Sequence, residues 1–399
     1  FVGGDGIDVN NVLGASINGN TVFAALNNGI EVSNSALVGI DANNVAFVGN
    51  DGINVDGVAG LSVTNNNVGF VGGDGIDVNN SVLASITGNT VFAALDNGIE
   101  VSNSSLVDVD SNNVAFAGND GINADSVSDL TVTNNSVNGT FFDGIDVSNS
   151  AGAVITGNTV QNVGDTGIRV NGSDGALVDL NTVNAAINAG ISVDNSDSVT
   201  VTNNLLNDMS NNGIVATNSS NLTIDDNIAS GLGNGVGIAL QNVTGTNSVD
   251  GNIVDGFDTG IGLDASFATV SNNLVTNNTS TGISLINGSN GNLVSDNTIT
   301  GSNIGINVAD SNNVQLASNV VIGDGTSIGV LMTNTEGGSI TGGQLLGHLI
   351  GVELNDATGT TISDLTSINN GTHILARNGS TVTVGGTTLI GGVIGVLLD

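Results

Sequence analysis

Residues 52–68 read GINVDGVAGLSVTNNNV, and this stretch decides the fold. It holds a Gly followed by the alternation Ile53-Asn54-Val55, a second alternation Leu61-Ser62-Val63, and an Asn fourteen residues after the Gly. Apolar residues at every second position, with β-branched types prominent, predict short β-strands. The intervening Gly, Asp and Asn are typical of turns. One such unit cannot bury its own apolar residues, so its recurrence decides what it builds.

The Gly-Ile pair recurs at a fixed interval of 23 residues through the first ten units, at Gly6, Gly29, Gly52, Gly75, Gly98, Gly121, Gly144, Gly167, Gly190 and Gly213. Beyond Gly213 the interval varies from 22 to 24 residues as far as Gly395, and His373 replaces one of the glycines. Eighteen units result. They leave no room for a second domain and predict one continuous β-solenoid over residues 1–399.

A longer repeat and a change of composition lie on top of this period. Residues 1–69 and 70–139 are near copies, which indicates a duplicated three-coil unit. Residues 323–399 hold fewer acids and more apolar residues than the earlier coils. Leucine-rich repeats have similar periods, but Val and Ile carry the apolar positions here and no segment shows a helical period.

A column of asparagines lies fourteen residues after each Gly. It comprises Asn20, Asn43, Asn66, Asn89, Asn112, Asn135, Asn158, Asn181, Asn204 and Asn227. A surface turn would also accept Asp, Gly or Ser. Ten identical choices therefore predict an internal ladder of stacked amides, each donating to the next coil at a strand junction.

With its Asn-Gly-Ile and Asp-Gly-Ile turns and this Asn column, the sequence resembles the right-handed parallel β-helix repeat proteins of the pectin-lyase-like superfamily, including NosD-type repeats, surface adhesins and tailspikes. The resemblance covers the whole chain. It implies an all-β fold, a single right-handed parallel β-helix of about 18 coils of 22–24 residues with three short strands per coil. It says little about function, because this fold carries lyases, hydrolases, binders and spacers.

Charge narrows the possible partners. The chain carries 37 acidic residues against Arg169 and Arg377, which gives a net charge of −35. Nucleic acid is excluded as a partner, since its phosphates require basic side chains. No apolar stretch is long enough for a transmembrane segment, and the absence of Cys removes thiolate metal sites. Cations and uncharged glycans remain as possible partners.

Outward positions beside the Gly form two acidic columns whose neighbouring carboxylates repel one another. Their acidic members are Asp5, Asp8, Glu31, Asp51, Asp74, Asp77, Glu100, Asp120, Asp143 and Asp146. Oxygen-rich columns suit a hard cation, so weak binding of Ca²⁺ at several sites is one interpretation. A solvated acidic face adapted to salt is the other, and no cofactor is required.

The basic and imidazole residues do not form a catalytic group in the sequence. Arg169 and Arg377 are about nine coils apart, and we expect Arg169 to neutralise the acidic column beside Asp146. We expect His348 and His373 to be turn or surface residues. The adjacent carboxylates Asp225 and Asp226 could serve acid–base chemistry, but no cation accompanies them. The chain is therefore predicted not to be an enzyme.

Aromatic residues are few, and Trp and Tyr are absent. Phe47, Phe70 and Phe116 occupy matching positions, two residues after an inward Val. Period-two alternation predicts that these rings point into the core rather than forming a sugar-binding platform.

These features together predict an extracellular or cell-surface structural protein. The first and last coils have no evident cap, which favours self-association end to end as a filament subunit or stalk segment. A carbohydrate-binding adhesin or tailspike shaft is the alternative. A polysaccharide lyase or hydrolase is the third possibility.

Overall fold

The computed structural model describes residues 2–399, and the described residues form 52 β-strands and no helix. The chain divides into two compact units, Phe1–Thr200 and Val201–Asp399. Within each unit every coil contributes one strand to each of three parallel sheets, which we call sheets 1, 2 and 3 in the order in which the chain enters them. The prediction of an all-β fold with three short strands per coil is confirmed.

In the first unit the strands of sheet 1 are Ile7–Asn10, Ile30–Ser33, Ile53–Asp56, Ile76–Asn79, Ile99–Ser102, Ile122–Asp125, Ile145–Ser148, Thr166–Asn171 and Ala189–Asp194. Those of sheet 2 are Leu13–Asn18, Ala36–Asp41, Ala59–Thr64, Val82–Thr87, Ser105–Asp110, Ser128–Thr133, Val154–Thr156 and Leu177–Asp179. Those of sheet 3 are Thr21–Phe23, Asn44–Val48, Asn67–Val71, Thr90–Ala94, Asn113–Ala115, Ser136–Asn138, Thr159–Val163 and Thr182–Ala186. The boundary between the units falls in the strand Thr200–Thr202.

In the second unit the strands of sheet 1 are Asn212–Thr217, Val236–Gln241, Thr259–Asp264, Thr281–Ile286, Ile304–Ala309, Ile328–Glu336, Ile350–Thr358, Thr372–Arg377 and Ile394–Leu398. Those of sheet 2 are Thr223–Asp225, Ser248–Asp250, Thr269–Ser271, Leu293–Ser295, Gln315–Ala317, Ser339–Thr341, Thr360–Ser363 and Val382–Gly385. Those of sheet 3 are Leu205–Met209, Ile228–Gly231, Ile253–Asp255, Leu274–Thr276, Thr298–Thr300, Val320–Ile322, Gln344–Leu346, Thr366–Ile368 and Thr388–Ile390.

Strand register follows the sequence period. In sheet 1 Ile30 pairs with Ile7 on one side and with Ile53 on the other, so equivalent residues of successive coils stack directly. Ile30 and Ile53 are completely buried. The core of each unit is therefore a set of Ile, Val and Leu columns inside the coils.

The Gly of the repeat is required by packing against the third strand. A Cβ at Gly52 would lie 2.1 Å from the Val68 Cγ1 atom and 2.5 Å from the Gly75 carbonyl oxygen. Neither neighbour can withdraw, because Val68 is a core residue and the carbonyl belongs to the next coil. The constant spacing between Gly and Val in successive units thus reflects one close contact per coil.

The Asn column lies between sheets 2 and 3 and is hydrogen-bonded along each unit. The Asn66 backbone N–H and its side-chain amide both donate to the Asn89 Oδ1 atom at 2.9 Å, and the amide also donates to the Ile40 carbonyl at 2.9 Å. Asn66 and Asn89 are buried. In the second unit the same pattern continues beyond Asn227 through Asn252, Asn273, Asn297 and Asn319, where the spacing is irregular.

A second ladder, of serines, lies between sheets 1 and 2 in the first unit. The Ser81 backbone N–H donates to the Ser104 Oγ atom at 3.0 Å, and the Ser150 N–H donates to the Ser173 Oγ atom at 2.9 Å. These serines are buried. Because Ser is common in ordinary turns, the sequence alone did not single this column out.

We predict that Asn112→Ala lowers the free energy of unfolding by about 3 kcal/mol or more. The substitution leaves the Asn89 backbone N–H and one N–H of its side-chain amide without an acceptor, although the amide keeps its bond to the Val63 carbonyl. It also leaves the Ile86 carbonyl without the Asn112 donor. Urea denaturation followed by circular dichroism measures the loss.

Asn113→Ala is the matched control, since Asn113 is adjacent but exposed. Its effect should stay within about 0.5 kcal/mol. Equal effects of the two substitutions would show that the ladder does not stabilise the fold.

Candidate functional site: an acidic face and a phenylalanine ladder

The predicted acidic residues lie on and beside the outer face of sheet 1 in the first unit, and we call them the acidic face. The sheet register places Asp77 between Asn54 and Glu100 on neighbouring strands. Asp8 and Glu31 pair in the same way, and so do Asn123 and Asp146. The column of residues predicted from sequence spacing is thus a row of adjacent side chains.

The turn members of the acidic face form a third ladder, between sheets 3 and 1. Each side-chain oxygen accepts a hydrogen bond from the backbone N–H of the next coil. The Asp74 N–H donates to the Asp51 Oδ1 atom at 2.8 Å, and the Asn97 N–H donates to the Asp74 Oδ1 atom at 2.7 Å. The same bond joins Asp143 to Asp120 and Thr166 to Asp143. These carboxylates therefore hold the backbone together as well as carrying charge.

Burial and mutual repulsion raise the pKa values of several of these carboxyl groups into the neutral range. Burial, together with the charges of Asp74 and Asp77, raises the pKa of Glu100 to about 8. Burial raises the pKa values of Asp74 and Asp77 to about 7, with smaller contributions from neighbouring carboxylates. Asp77 also has a buried Oδ1 atom without a hydrogen-bond partner.

Within residues 2–399 no three His, Cys, Asp or Glu side chains lie so that they could hold a metal ion together. Calcium takes about six to eight oxygen ligands, and in the turn column one oxygen of each carboxylate already accepts a backbone hydrogen bond. The residues therefore do not fit a preformed calcium site, and weak binding of Ca²⁺ by the acidic face stays a prediction.

Arg169 ends the acidic face. Its guanidinium lies 3.8 Å from an Asp143 carboxylate oxygen and 3.9 Å from one of Asp194. Asp146 is its register neighbour in sheet 1, and the Arg169 charge opposes the rise that burial causes in the pKa of Asp146. Arg169 thus acts on the acidic column, as the sequence indicated, with Asp143 and Asp194 as its ion-pair partners.

Neither imidazole is at the surface. His348 lies in a turn, between the strands Gln344–Leu346 and Ile350–Thr358, as one part of the expectation had it, whereas His373 lies within the strand Thr372–Arg377. His348 and His373 are buried, and their Nδ1 atoms lie 2.9 Å and 2.7 Å from the Ser327 and Ser367 Oγ atoms. Their Nε2 atoms face backbone carbonyls, so each Nε2 carries the proton and each Nδ1 accepts from a serine. Burial lowers the pKa of His348. His373 replaces the Gly of the repeat in its coil, and His348 lies three residues before that Gly, where another coil holds the buried ring of Phe257.

Asp225 and Asp226 have different structural roles at the end of the strand Thr223–Asp225. Asp225 accepts hydrogen bonds from Ser248 and from the Asp250 backbone N–H, both at 3.1 Å. Asp226 adopts a left-handed backbone with φ of 56°. The pair is therefore part of the corner structure of its coil.

Five exposed phenylalanines form a continuous row on the outside of sheet 3, and we call this row the phenylalanine ladder. It comprises Phe23, Phe47, Phe70, Phe92 and Phe116. Consecutive ring centroids are 4.9 to 5.5 Å apart, and the Phe47 and Phe70 rings are parallel within 4°. The side chains are 40 to 60% exposed.

The prediction that Phe47, Phe70 and Phe116 point into the core is wrong, because a bulge interrupts the alternation. Phe47 has a φ of 56°, and this left-handed residue turns the next side chain, Val48, inward in its place. The expected order would have buried Phe47 and exposed Val48. Instead both Val45 and Val48 are in the core.

The sequence places one Phe in each of these five coils, at either of two adjacent positions. Where Phe occupies the bulge, as in Phe47 and Phe70, the preceding residue is Ala46 or Gly69. Where Phe precedes the bulge, as in Phe92, it pairs in register with Gly69. This exchange of large and small residues keeps the ring row continuous, and it is the signal that could have revealed the ladder.

The chain matches the family model of the right handed beta helix region over residues 5–160, 97–254 and 166–321. These matches together cover more than half of the sequence, and the chain belongs to this family. No curated protein is similar to it by sequence.

Several solved structures are similar to the chain at low identity. An exopolygalacturonase from Thermotoga maritima is 9% identical, with a TM-score of 0.43 over 69% of this chain and 83% of its own. The alginate lyase AlyF-OU02 is 14% identical, with a TM-score of 0.49 over 80% of this chain and 81% of its own. PfbA, a surface adhesin of Streptococcus pneumoniae, is 10% identical, with a TM-score of 0.41 over 78% of this chain and 82% of its own.

The sequence-based prediction excluded enzymatic activity, and that exclusion is wrong. Similar structures include an exopolygalacturonase and an alginate lyase. The prediction relied on the distance between basic residues along the sequence. It overlooked that stacking brings carboxyl groups of successive coils together, with Asp77 and Glu100 both titrating near neutral pH.

We predict that the protein becomes more thermally stable as the pH falls from about 8 to about 5. The folded pKa values of Asp74, Asp77, Glu100 and Asp143 are about 7 to 8, above the ordinary values of 3.8 and 4.5, so the folded state binds more protons in this window. The stability they contribute is full below the ordinary values and is lost as the pH rises through the folded ones. His348 acts in the opposite direction, below its ordinary value of 6.5, but it is one group.

Asp77→Asn should raise the melting temperature at pH 8 and flatten its pH dependence, since Asn already occupies the equivalent positions 54 and 123. Asp324→Asn removes the same charge where hydrogen bonds from Thr326 lower the carboxyl pKa. That control should not be stabilised. A melting temperature that rises with pH between 5 and 8 would contradict this prediction.

Proposed function

We propose that the protein is an extracellular or cell-surface β-solenoid that binds uncharged polysaccharide along the phenylalanine ladder. The observation that carries this proposal is the row of five exposed rings, one per coil, with centroids 4.9 to 5.5 Å apart. The sequence left a carbohydrate-binding shaft as an alternative, and this row supplies an exposed aromatic platform for it.

The size of the ladder supports a binding role. Five side chains of about 200 Å² each, roughly half exposed, present about 500 Å² of aromatic surface. Exposed apolar patches of this size mark interaction sites on soluble proteins. The C–H faces of sugar rings are apolar and can lie against aromatic faces, and a regular row matches a polymer with a regular repeat.

Backbone conformation also favours a functional role for the rings. Phe47, Phe70 and Phe116 have φ values of 55° to 59°, in the left-handed region that bulky residues avoid. The equivalent positions in two later coils are Gly139 and Asn162, which adopt this conformation readily. Placing Phe there costs on the order of 1 kcal/mol per residue, and stacking between neighbouring rings offsets part of that cost.

Charge selects among polysaccharides. At a net charge of −35 the protein repels polyanions such as uronate polymers, most strongly at low salt. This repulsion does not oppose the binding of an uncharged polymer, and the affinity for such a polymer should vary little with salt. The end-to-end assembly expected from the terminal coils stays a prediction that this proposal does not require.

We predict that the triple substitution of Phe47, Phe70 and Phe116 by Asn weakens binding about 100-fold. Three ring contacts of about 1 kcal/mol each account for this factor. Folding should be retained or improved, because Asn tolerates positive φ. Affinity electrophoresis through gels containing glucan, mannan or xylan, and pull-down on insoluble chitin, would identify and measure binding.

Phe267→Ala is the control, since Phe267 is a partly exposed ring outside the ladder. It should leave binding unchanged. Retention only by alginate or polygalacturonate, or equal retention of the triple variant and the parent, would refute the proposal. Assay of reducing ends and of unsaturated products after incubation with the same polymers would show whether binding is accompanied by cleavage.

A further inference from the structure

A row of polar residues runs beside the phenylalanine ladder on the outer side of sheet 3, and we call it the polar row. Each member is the first residue of its strand and precedes the Phe of its coil by two or three positions. The row comprises Thr21, Asn44, Asn67, Thr90 and Asn113, all of them exposed. The sheet register pairs each member with the next. Every coil of the ladder therefore offers one aromatic ring and one amide or hydroxyl group.

This part of the surface carries no charge of its own. The sheet 3 strands of the first unit contain no acidic or basic residue, in a chain of net charge −35. A ligand on these strands meets hydroxyl, amide and aromatic groups. Hydroxyl and amide groups both donate and accept hydrogen bonds, and aromatic rings bind apolar C–H surfaces. A neutral sugar has hydroxyl groups and C–H surfaces that match both.

The spacing of the ladder fits one class of sugar polymer. Consecutive ring centroids are 4.9 to 5.5 Å apart, close to the strand spacing of ~4.8 Å. A pyranose whose bonds at positions 1 and 4 are both equatorial advances its polymer by about this distance, and the resulting chain is straight. Glycans with an axial bond, or with bonds at positions 1 and 3, coil instead and leave a straight row after a few sugars.

We propose that the ligand of the phenylalanine ladder is an extended 1,4-linked neutral glycan with equatorial bonds, lying along the stacking direction of the coils with one sugar on each ring. This inference rests on the proposed function and specifies its ligand. Equatorial hydroxyls lie in the plane of the sugar ring. When a flat face of the sugar contacts a Phe, these hydroxyls point sideways, and those on one side reach the polar row.

The two rows then have different tasks. The rings provide most of the affinity, because they present the larger apolar surface. The polar row fixes the position of the sugars along the ladder, since a hydrogen bond forms only at a defined distance and angle. Selectivity for an extended glycan therefore depends on the polar row, and affinity depends mainly on the rings.

The length of the ladder sets the number of sugars bound, and isothermal titration calorimetry measures it. We expect the affinity to rise about fivefold with each added sugar from cellotriose to cellopentaose. Cellohexaose should bind no more tightly than cellopentaose, apart from the statistical gain of an extra register, because the ladder has five rings. Maltopentaose, with axial bonds, and laminaripentaose, with 1,3 bonds, should bind at least about tenfold more weakly than cellopentaose.

The double variant Thr90→Ala and Asn113→Ala tests the polar row. Asn44 and Asn67 are left in place because the Asn67 amide donates to the Asn44 Oδ1 atom at 3.5 Å. The variant should lose about tenfold in affinity for cellopentaose and most of the preference over maltopentaose. Thr159→Ala with Thr182→Ala is the matched control, since these residues continue the same column in coils that have no ladder Phe. The control should bind like the parent.

The outcomes separate this inference from the proposed function. Equal affinities for cellopentaose and maltopentaose would overturn the inference, and so would a Thr90 and Asn113 variant that binds and selects as the parent does. In either case loss of binding in the triple Phe variant would still support the proposed function. A parent that binds none of these oligosaccharides and none of the neutral polymers would overturn both.

Discussion

Every corner of a coil depends on one constraint, which is that a backbone N–H between two strands must find an acceptor in the neighbouring coil. Strand residues and many corner residues meet this requirement through backbone carbonyls of the neighbouring coil, but some corner N–H groups donate to side-chain oxygens instead. In the first unit each of the three corners has its own side-chain ladder, of Asn, of Ser and of Asp or Asn, whose oxygens accept these N–H groups. An unpaired buried N–H costs about 1 to 3 kcal/mol, so the ladders are a condition for stacking coils at all.

The same requirement explains why the acidic face exists. A carboxylate at the corner between sheets 3 and 1 is a strong acceptor for the next N–H, and stacking then brings its charge close to those of its neighbours. Burial, with a smaller contribution from this repulsion, raises the pKa values of Asp74 and Asp143 to about 7. Structural bonding and charge are thus two consequences of one residue choice.

Bulges expose the phenylalanine ladder on sheet 3 and single leucines on sheet 2. A residue with positive φ in sheet 3 turns Phe47 outward, and another in sheet 2 turns Leu37 outward. Both lie within strands whose other residues alternate regularly between core and solvent. Side chains at these positions can vary without disturbing the core, because Val48 and Val38 keep the inward positions. Repetition of the coil then converts a single exposed residue into a row.

The sequence by itself determined the fold, because a period of 23 residues with a Gly, an Asn and alternating Val and Ile at set places has one stable way to bury its apolar columns. It also located the Asn ladder and the acidic columns, since stacking places equivalent residues side by side. Only the tertiary structure decided which way Phe47 and Phe70 face and that His348 is buried. A bulge shifts the alternation by one residue, and its positive φ is adopted here by Ala, Asn, Leu and Phe alike. Backbone geometry at such positions is set by hydrogen bonds to the neighbouring coils, which residue type alone does not specify.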